Sequence, residues 1–168
     1  YSSSSIVRQG NYDVTKTYPD KGHGSFTILA LPVNTILLNP TITEGKWLNK
    51  EGTNEVVLNQ LARTSGMKIG DEISLSLEDR PTTWKIIGFT EDVGSSATAY
   101  VSIQTFEKLN ESTGQIKMIR IGYVDRSKDY ASAKNREIDR VLEGSHVGVS
   151  SSTPVWLLHN AVAAHMEV

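Results

Sequence analysis

Cysteine is absent from all 168 residues, which removes disulfides, thiolate metal sites, iron–sulfur clusters and a cysteine nucleophile together. Proline is sparse, at 5 residues, and aromatics make up 7% of the chain. Charge of one sign is also lacking: 17 basic residues stand against 19 acidic ones, a formal net charge of −2, with no like-charged run. Such a chain has no evident electrostatic grip on nucleic acid or an anionic membrane, so nucleic acid is not expected as a partner. No apolar stretch approaches the roughly 18 residues that read as a membrane-spanning helix. No charged-then-apolar leader precedes Tyr1, and with no initial Met the chain reads as a piece of a longer polypeptide.

What is present suits a folded domain. Hydrophobic residues make up 38%, and 13 glycines add to them, enough for one core or two small ones. Ile6, Val7, Arg8 and Gln9 read as a strand entering a turn at Gly10-Asn11, and residues 18–24, with a proline and two glycines, read as a loop. The bulky run from Phe26 to Val33 fits a strand buried on both faces, with Pro32 at its end. Asn39-Pro40 and Gly45 bracket an irregular region. Glu55-Val56-Val57-Leu58 reads as a strand, and Asn59 as the cap of a brief helix ending at Gly66.

Alternation is clearest at Ile73, Leu75 and Leu77, which a pleated strand places on one face. Trp84 to Phe89 resumes strand-like residues after a polar stretch at 78–83, so the two form an expected hairpin. Residues 99–102 read as a strand, and Ser102 as the cap of a helix carrying Ile103, Phe106 and Leu109. Residues 117–124 read as another strand. A helix is expected over 128–143, with Tyr130, Ala131, Ile138, Val141 and Leu142 as its apolar stripe and Gly144 as its stop. Val147-Gly148-Val149 reads as a strand, and Thr153-Pro154 opens a last helix through Met166. The order predicts an α+β fold of mixed sheets with packed helices: a β-rich portion at about residues 45–100 and an α/β portion around it.

Motifs of catalysis are missing. There is no Gly-x-Ser-x-Gly elbow, and Gly94-Ser95-Ser96 lies in a polar stretch. His159 and His165 are six apart rather than four, so they do not pair on one helix face as zinc ligands do, and His23 and His146 stand alone. Adjacent carboxylates at Asp71-Glu72 and Glu91-Asp92 point to opposite faces of a strand. Neither phosphate-binding glycine pattern occurs, and Gly22-His23-Gly24 lacks a following helix. No catalytic, metal or cofactor-binding residue is assigned, and the chain is not expected to be an enzyme.

A series of short motifs is more specific than any one of them. Glu44-Gly45-Lys46-Trp47-Leu48 is followed by Asn54-Glu55-Val56-Val57-Leu58-Asn59, Met67-Lys68-Ile69-Gly70-Asp71-Glu72-Ile73, Trp84-Lys85-Ile86-Ile87-Gly88-Phe89 and Ala99-Tyr100-Val101-Ser102. In order and spacing this resembles the MacB-like periplasmic core domain, the extracytoplasmic region of FtsX-like ABC transporter permeases. Within the motifs, whose matched residues include Gly45, Trp47, Leu48, Gly70 and Asp71, Gly45 suits a turn with unusual backbone angles, Trp47 an anchor of the loop on the sheet, and Gly70-Asp71 a turn before the strand at Ile73.

The resemblance implies a non-catalytic extracytoplasmic domain that transmits conformational change between transmembrane helices and an external substrate or partner protein. It implies no cofactor in this chain, ATP being bound by a separate nucleotide-binding domain or subunit. Implied partners are the permease's own transmembrane helices, an ABC ATPase, and a second permease subunit or an extracytoplasmic partner protein. The implied location is the extracytoplasmic side of a bacterial cell membrane. The apolar residues of 154–166 cover more than one stripe, so Trp156 and Leu157 are candidate membrane-side or partner contacts. The alternative is a cell-surface module binding a peptide or glycan.

Overall fold

The computed structural model describes residues 3–15, 25–77, 80–92, 96–109, 118–125, 127–149 and 151–152, with side chains from residue 27 onward apart from 76 and 77. Elements run in the order β1 (Ser3–Thr15), β2 (Ser25–Leu31), β3 (Thr41–Gly45), β4 (Glu55–Asn59), β5 (Glu72–Leu77), β6 (Arg80–Glu91), β7 (Thr98–Ser102), α1 (Ile103–Leu109), β8 (Met118–Gly122) and α2 (Lys128–Gly144). The expected loop at 18–24 lies outside the described residues, as does the helix expected over 154–166 with Trp156 and Leu157. The chain forms two compact units, Ser4–Ile121 and a second made of Tyr1–Ser3 with Gly122–Val168.

The larger unit is built on one mixed sheet in the order β2-β7-β4-β6-β5-β1-β8, with β3 added on β6. β1 pairs antiparallel with β2 and also with β5, so the ladder β1-β2-β7-β4-β6-β5 returns on itself. The β-rich portion is therefore wider than residues 45–100, because β1 and β2 belong to the same sheet. Gly10 and Asn11 do not turn: they sit in the β1 ladder opposite Ile28 and Thr27, where the pairing overrides a local turn preference. The hairpin of β5 and β6 is as expected, from Glu72 opposite Lys85 to Leu77 opposite Arg80. Pro81 falls inside β6, but only β5 flanks it there; β4 first meets β6 at Lys85, so the missing N–H breaks no bond to β4.

Burial follows strand periodicity on both faces. Ile28 and Ala30 enter one cluster, with Val56, Leu58, Ile73, Leu75, Trp84, Ile86, Phe89, Ala99, Val101 and Phe106. The intervening Leu31, Val57 and Tyr100 join Leu48 and Ile87 in a second, against which Leu29 packs. β2 is thus buried on both sides, as its composition predicts. Fully burying each such aliphatic side chain stabilises the fold by about 1.5–3 kcal/mol. In β6 the alternation breaks where Val56 pairs Ile86 and Val57 pairs Gly88, leaving Ile87 as an extra residue. Alternation alone places Ile87 in the second cluster, and the bulge returns Phe89, which would otherwise share that face, to the first.

Helix α1 starts as read: Ser102 Oγ accepts the Thr105 N–H at 3.1 Å, filling one orphan donor of the first turn. Three other expectations differ. Residues 41–45, read as irregular, form β3, a strand of five exposed residues paired with the end of β6. The brief helix after Asn59 is a tight turn, closed by Ala62 and Arg63 N–H groups on Asn59 O. Residues 147–149 form no strand.

Helix α2 explains the last point. Ser127 is its N-cap, accepting the Tyr130 N–H at 3.4 Å. Just before it, hydrogen bonds from the Ser127 backbone N–H and hydroxyl hold the Asp125 carboxyl below the usual carboxylate range. At the other end Gly144 stays helical, and His146 takes the left-handed position (φ 59°). The His146 N–H donates to Glu143 O (3.0 Å) and the Val147 N–H to Leu142 O (2.9 Å). This paired reversal satisfies the last carbonyls and turns Val147 back on the helix instead of extending it. The expected stripe is half-buried at Ala131, Ile138 and Leu142, while Tyr130 and Val141 are exposed.

Candidate functional site

The motif residues converge on three consecutive residues of β6, Ile86 to Gly88. From one side, β3 ends on Gly45 with φ 75°, the left-handed backbone that glycine alone adopts without strain. Gly45 pairs Gly88, and the next residue, Lys46, donates its N–H to Ile87 O at 3.0 Å. The approach is too close for side chains: a Cβ on Gly45 would lie 2.3 Å from Ile87 O, and one on Gly88 would lie 2.2 Å from Lys46 O. The chain then lays Trp47, half-buried, against Tyr100 with ring centroids 5.2 Å apart and planes at 54°. Leu48 follows it into the second cluster, 3% exposed.

The second motif is a turn docked on the same strand. Asp71 folds it, its Oδ2 accepting the Lys68 N–H at 2.8 Å and its own N–H donating to Lys68 O at 3.2 Å. Gly70, at φ 97°, donates its N–H to Ile86 O, and Asp71 O accepts the Ile86 N–H, both at 2.8 Å. Gly45 and Gly70 therefore carry the backbone angles their turn chemistry predicts. Beside this joint Arg63 spans the surface, 2.8 Å from Glu44 and 3.8 Å above the Phe89 ring.

Two features escape a reading of single motifs. Gly88 has an ordinary negative φ, and its need arises only because Lys46 crosses it; an isolated glycine in a strand run is the available signal. Asn59, fully buried, fastens three segments: Oδ1 accepts the Ala62 and Thr98 N–H groups at 3.0 Å, and Nδ2 donates to Ser96 O at 2.7 Å. Next to it the Tyr100 hydroxyl donates to Asp92 Oδ2 at 2.6 Å, and Gln60 exchanges two hydrogen bonds with the Asp92 backbone. Among the described residues no group of three histidine or carboxylate side chains is placed to hold a metal ion. The arrangement joins backbone segments rather than aligning a nucleophile with a base.

The joint makes a sharp expectation. Gly88→Ala should lower stability by about 2–3 kcal/mol, because the new methyl meets a backbone carbonyl that cannot rotate away. Gly70→Ala, whose Cβ would meet nothing within 4 Å, should cost about 1–2 kcal/mol through backbone strain alone. Urea unfolding midpoints of the two variants check the order, and equal losses would show that β3 yields freely.

No family model matches the sequence, and no curated protein matches it. Solved structures do. The extracellular domain of the noncanonic ABC-type transporter YknZ from Gram-positive bacteria is similar with a TM-score of 0.62 and 11% identity, over 85% of this chain and 75% of that one. The periplasmic region of MacB from Actinobacillus actinomycetemcomitans is similar with a TM-score of 0.60 and 17% identity, over 84% of this chain and 67% of that one. At such identities the likeness is one of fold: the chain has the α+β fold of the MacB-like periplasmic domains, the fold that its motif series resembles.

Proposed function

We propose that the chain is the non-catalytic extracytoplasmic domain of an ABC-type permease, passing conformational change between transmembrane helices and an external substrate or partner protein. The observation that carries the reading is the shared fold with the extracellular domain of YknZ over most of both chains. The periplasmic region of MacB supports it from a second transporter. The larger unit suits such work mechanically. Its sheet is packed on both faces and cross-joined at Ile86 to Gly88, and a close-packed interior transmits displacement instead of absorbing it. ATP would be bound and hydrolysed by a separate domain or subunit. No helix among the described residues is long and apolar enough to cross a membrane, so the spans would be supplied by other parts of the permease. Further partners would be a second permease subunit or an extracytoplasmic protein, on the outer side of a bacterial cell membrane.

The test uses the parent membrane protein reconstituted with its ATPase. A flexible Gly/Ser linker inserted after Met166 should leave ATP hydrolysis in place while transport per ATP falls several-fold, since a Gly-rich chain carries little directional memory. Coupling that survives the linker rejects the transmission role. A parent protein that neither contains nor co-purifies with an ABC ATPase rejects the permease reading altogether.

A further inference from the structure

Residues 32–40 leave β2 at Pro32 and enter β3 after Pro40. Between the two prolines, Val33 and Leu38 lie half-buried on the second apolar cluster. Some of the stretch's hydrogen bonds are its own: the Thr35 N–H donates to Pro32 O at 3.1 Å and the Leu37 N–H to Thr35 Oγ1 at 3.3 Å. Among the described residues its tie to the rest of the chain is one bond, from the Val33 N–H to Glu51 Oε1 at 3.0 Å. The other Glu51 oxygen, Oε2, is buried and has no hydrogen-bond partner among the described residues. At the crest of the stretch Ile36 is 80% exposed.

These observations set small opposing terms against each other. Closed, the stretch gains the contacts of Val33 and Leu38 and one charge-assisted hydrogen bond. It also holds a carboxylate oxygen away from water with no donor in return, a cost relieved as soon as the carboxylate is hydrated. Ile36 gains nothing from the closed position. Glu51, by contrast, is well based. In its loop the Gly52 N–H donates to Ser102 Oγ (3.4 Å), the Thr105 hydroxyl donates to Thr53 O (2.9 Å), and the Thr53 hydroxyl donates to Glu55 Oε2 (2.9 Å). We propose that residues 32–40 form a strap latched by Glu51, which lifts to uncover the second apolar cluster while the sheet and the loop bearing the latch stay folded.

Amide hydrogen exchange on the 168-residue chain tests this. In the unaltered protein the Val33, Thr35 and Leu37 amides should exchange through local opening, at least about tenfold faster than those of Ile86 and Thr98. Glu51→Ala should speed the strap amides a further ~10-fold or more, the equivalent of one hydrogen bond to a charged group, with Ile86 and Thr98 unchanged. An apolar fluorescent dye should bind more strongly in that variant. Glu51→Gln, which keeps an acceptor for the Val33 N–H but not its charge, should fall between the unaltered rates and those of Glu51→Ala. Strap amides as protected as Ile86, a Glu51→Ala effect spread evenly over the sheet, or no gain in dye binding would each overturn the proposal. If Glu51→Ala does not fold, the exchange pattern of the unaltered chain decides alone.

Discussion

Replacing Trp84 by alanine should destabilise the fold by about 3–5 kcal/mol, the range for emptying a fully buried large aromatic site. Trp84 has no exposed surface and is the largest of the fully buried side chains. It stands on β6 among the side chains of the first cluster, and β6 pairs with β3, β4 and β5, so a cavity there has no single neighbour that can collapse into it. Its indole is also wired into the hairpin: Nε1–H donates to Thr82 Oγ1 at 2.7 Å, and that hydroxyl donates to Leu75 O, also at 2.7 Å. Trp84→Phe keeps most of the volume and loses the indole bond, so it should cost about 1–2 kcal/mol. Because a domain this size holds only about 5–15 kcal/mol in total, the alanine variant should show a large fall in its urea midpoint. A loss below about 1 kcal/mol would mean that β6 does not form the centre of the core.

Trp84 also marks how far the sequence was legible. The alternation of Ile73 and Leu75, the cap at Ser102 and the turn glycines Gly45 and Gly70 are local signals, and each appears where its local physics places it. What was missed depends on distant partners. The bulge at Ile87 exists because β4 and β6 differ by one residue in their pairing, which a run such as Trp84 to Phe89 does not announce. β3 carries five exposed residues and has no amphipathic pattern to find; its existence rests on the pairing with β6. Gly10 and Asn11 carry turn chemistry yet lie in a ladder because β2 stands opposite. His146 fills a site that glycine usually takes, so the stop expected at Gly144 ended α2 one residue early. In the motif region Trp47 anchors on Tyr100 as read, though half-buried, while the reason for Gly88 is the carbonyl of Lys46 across the sheet.

Asn59 is the strongest instance of such distant dependence, and its removal is the second large effect expected. Read along the chain it is a helix cap; folded, it is a three-way clamp on the turn at Ala62, the start of β7 at Thr98 and the carbonyl of Ser96. In Asn59→Ala the Ala62 N–H still reaches Asn59 O. The buried Thr98 N–H loses its acceptor, at roughly 1–3 kcal/mol, whereas the carbonyl of exposed Ser96 keeps the Thr98 hydroxyl as a donor at 2.8 Å. With the small cavity left by the side chain, the expected loss is therefore about 2–3 kcal/mol. Asn59→Asp separates the clamp from simple volume. It still offers oxygens to both N–H groups but cannot donate to Ser96 O, and it brings a negative charge into a fully buried position, so its loss should match or exceed that of alanine. The measurement is paired: urea unfolding for the magnitude, and hydrogen exchange at Thr98 for the cause. If the Thr98 amide keeps its protection in Asn59→Ala, another acceptor has taken over and the clamp is not what holds β7 to β4.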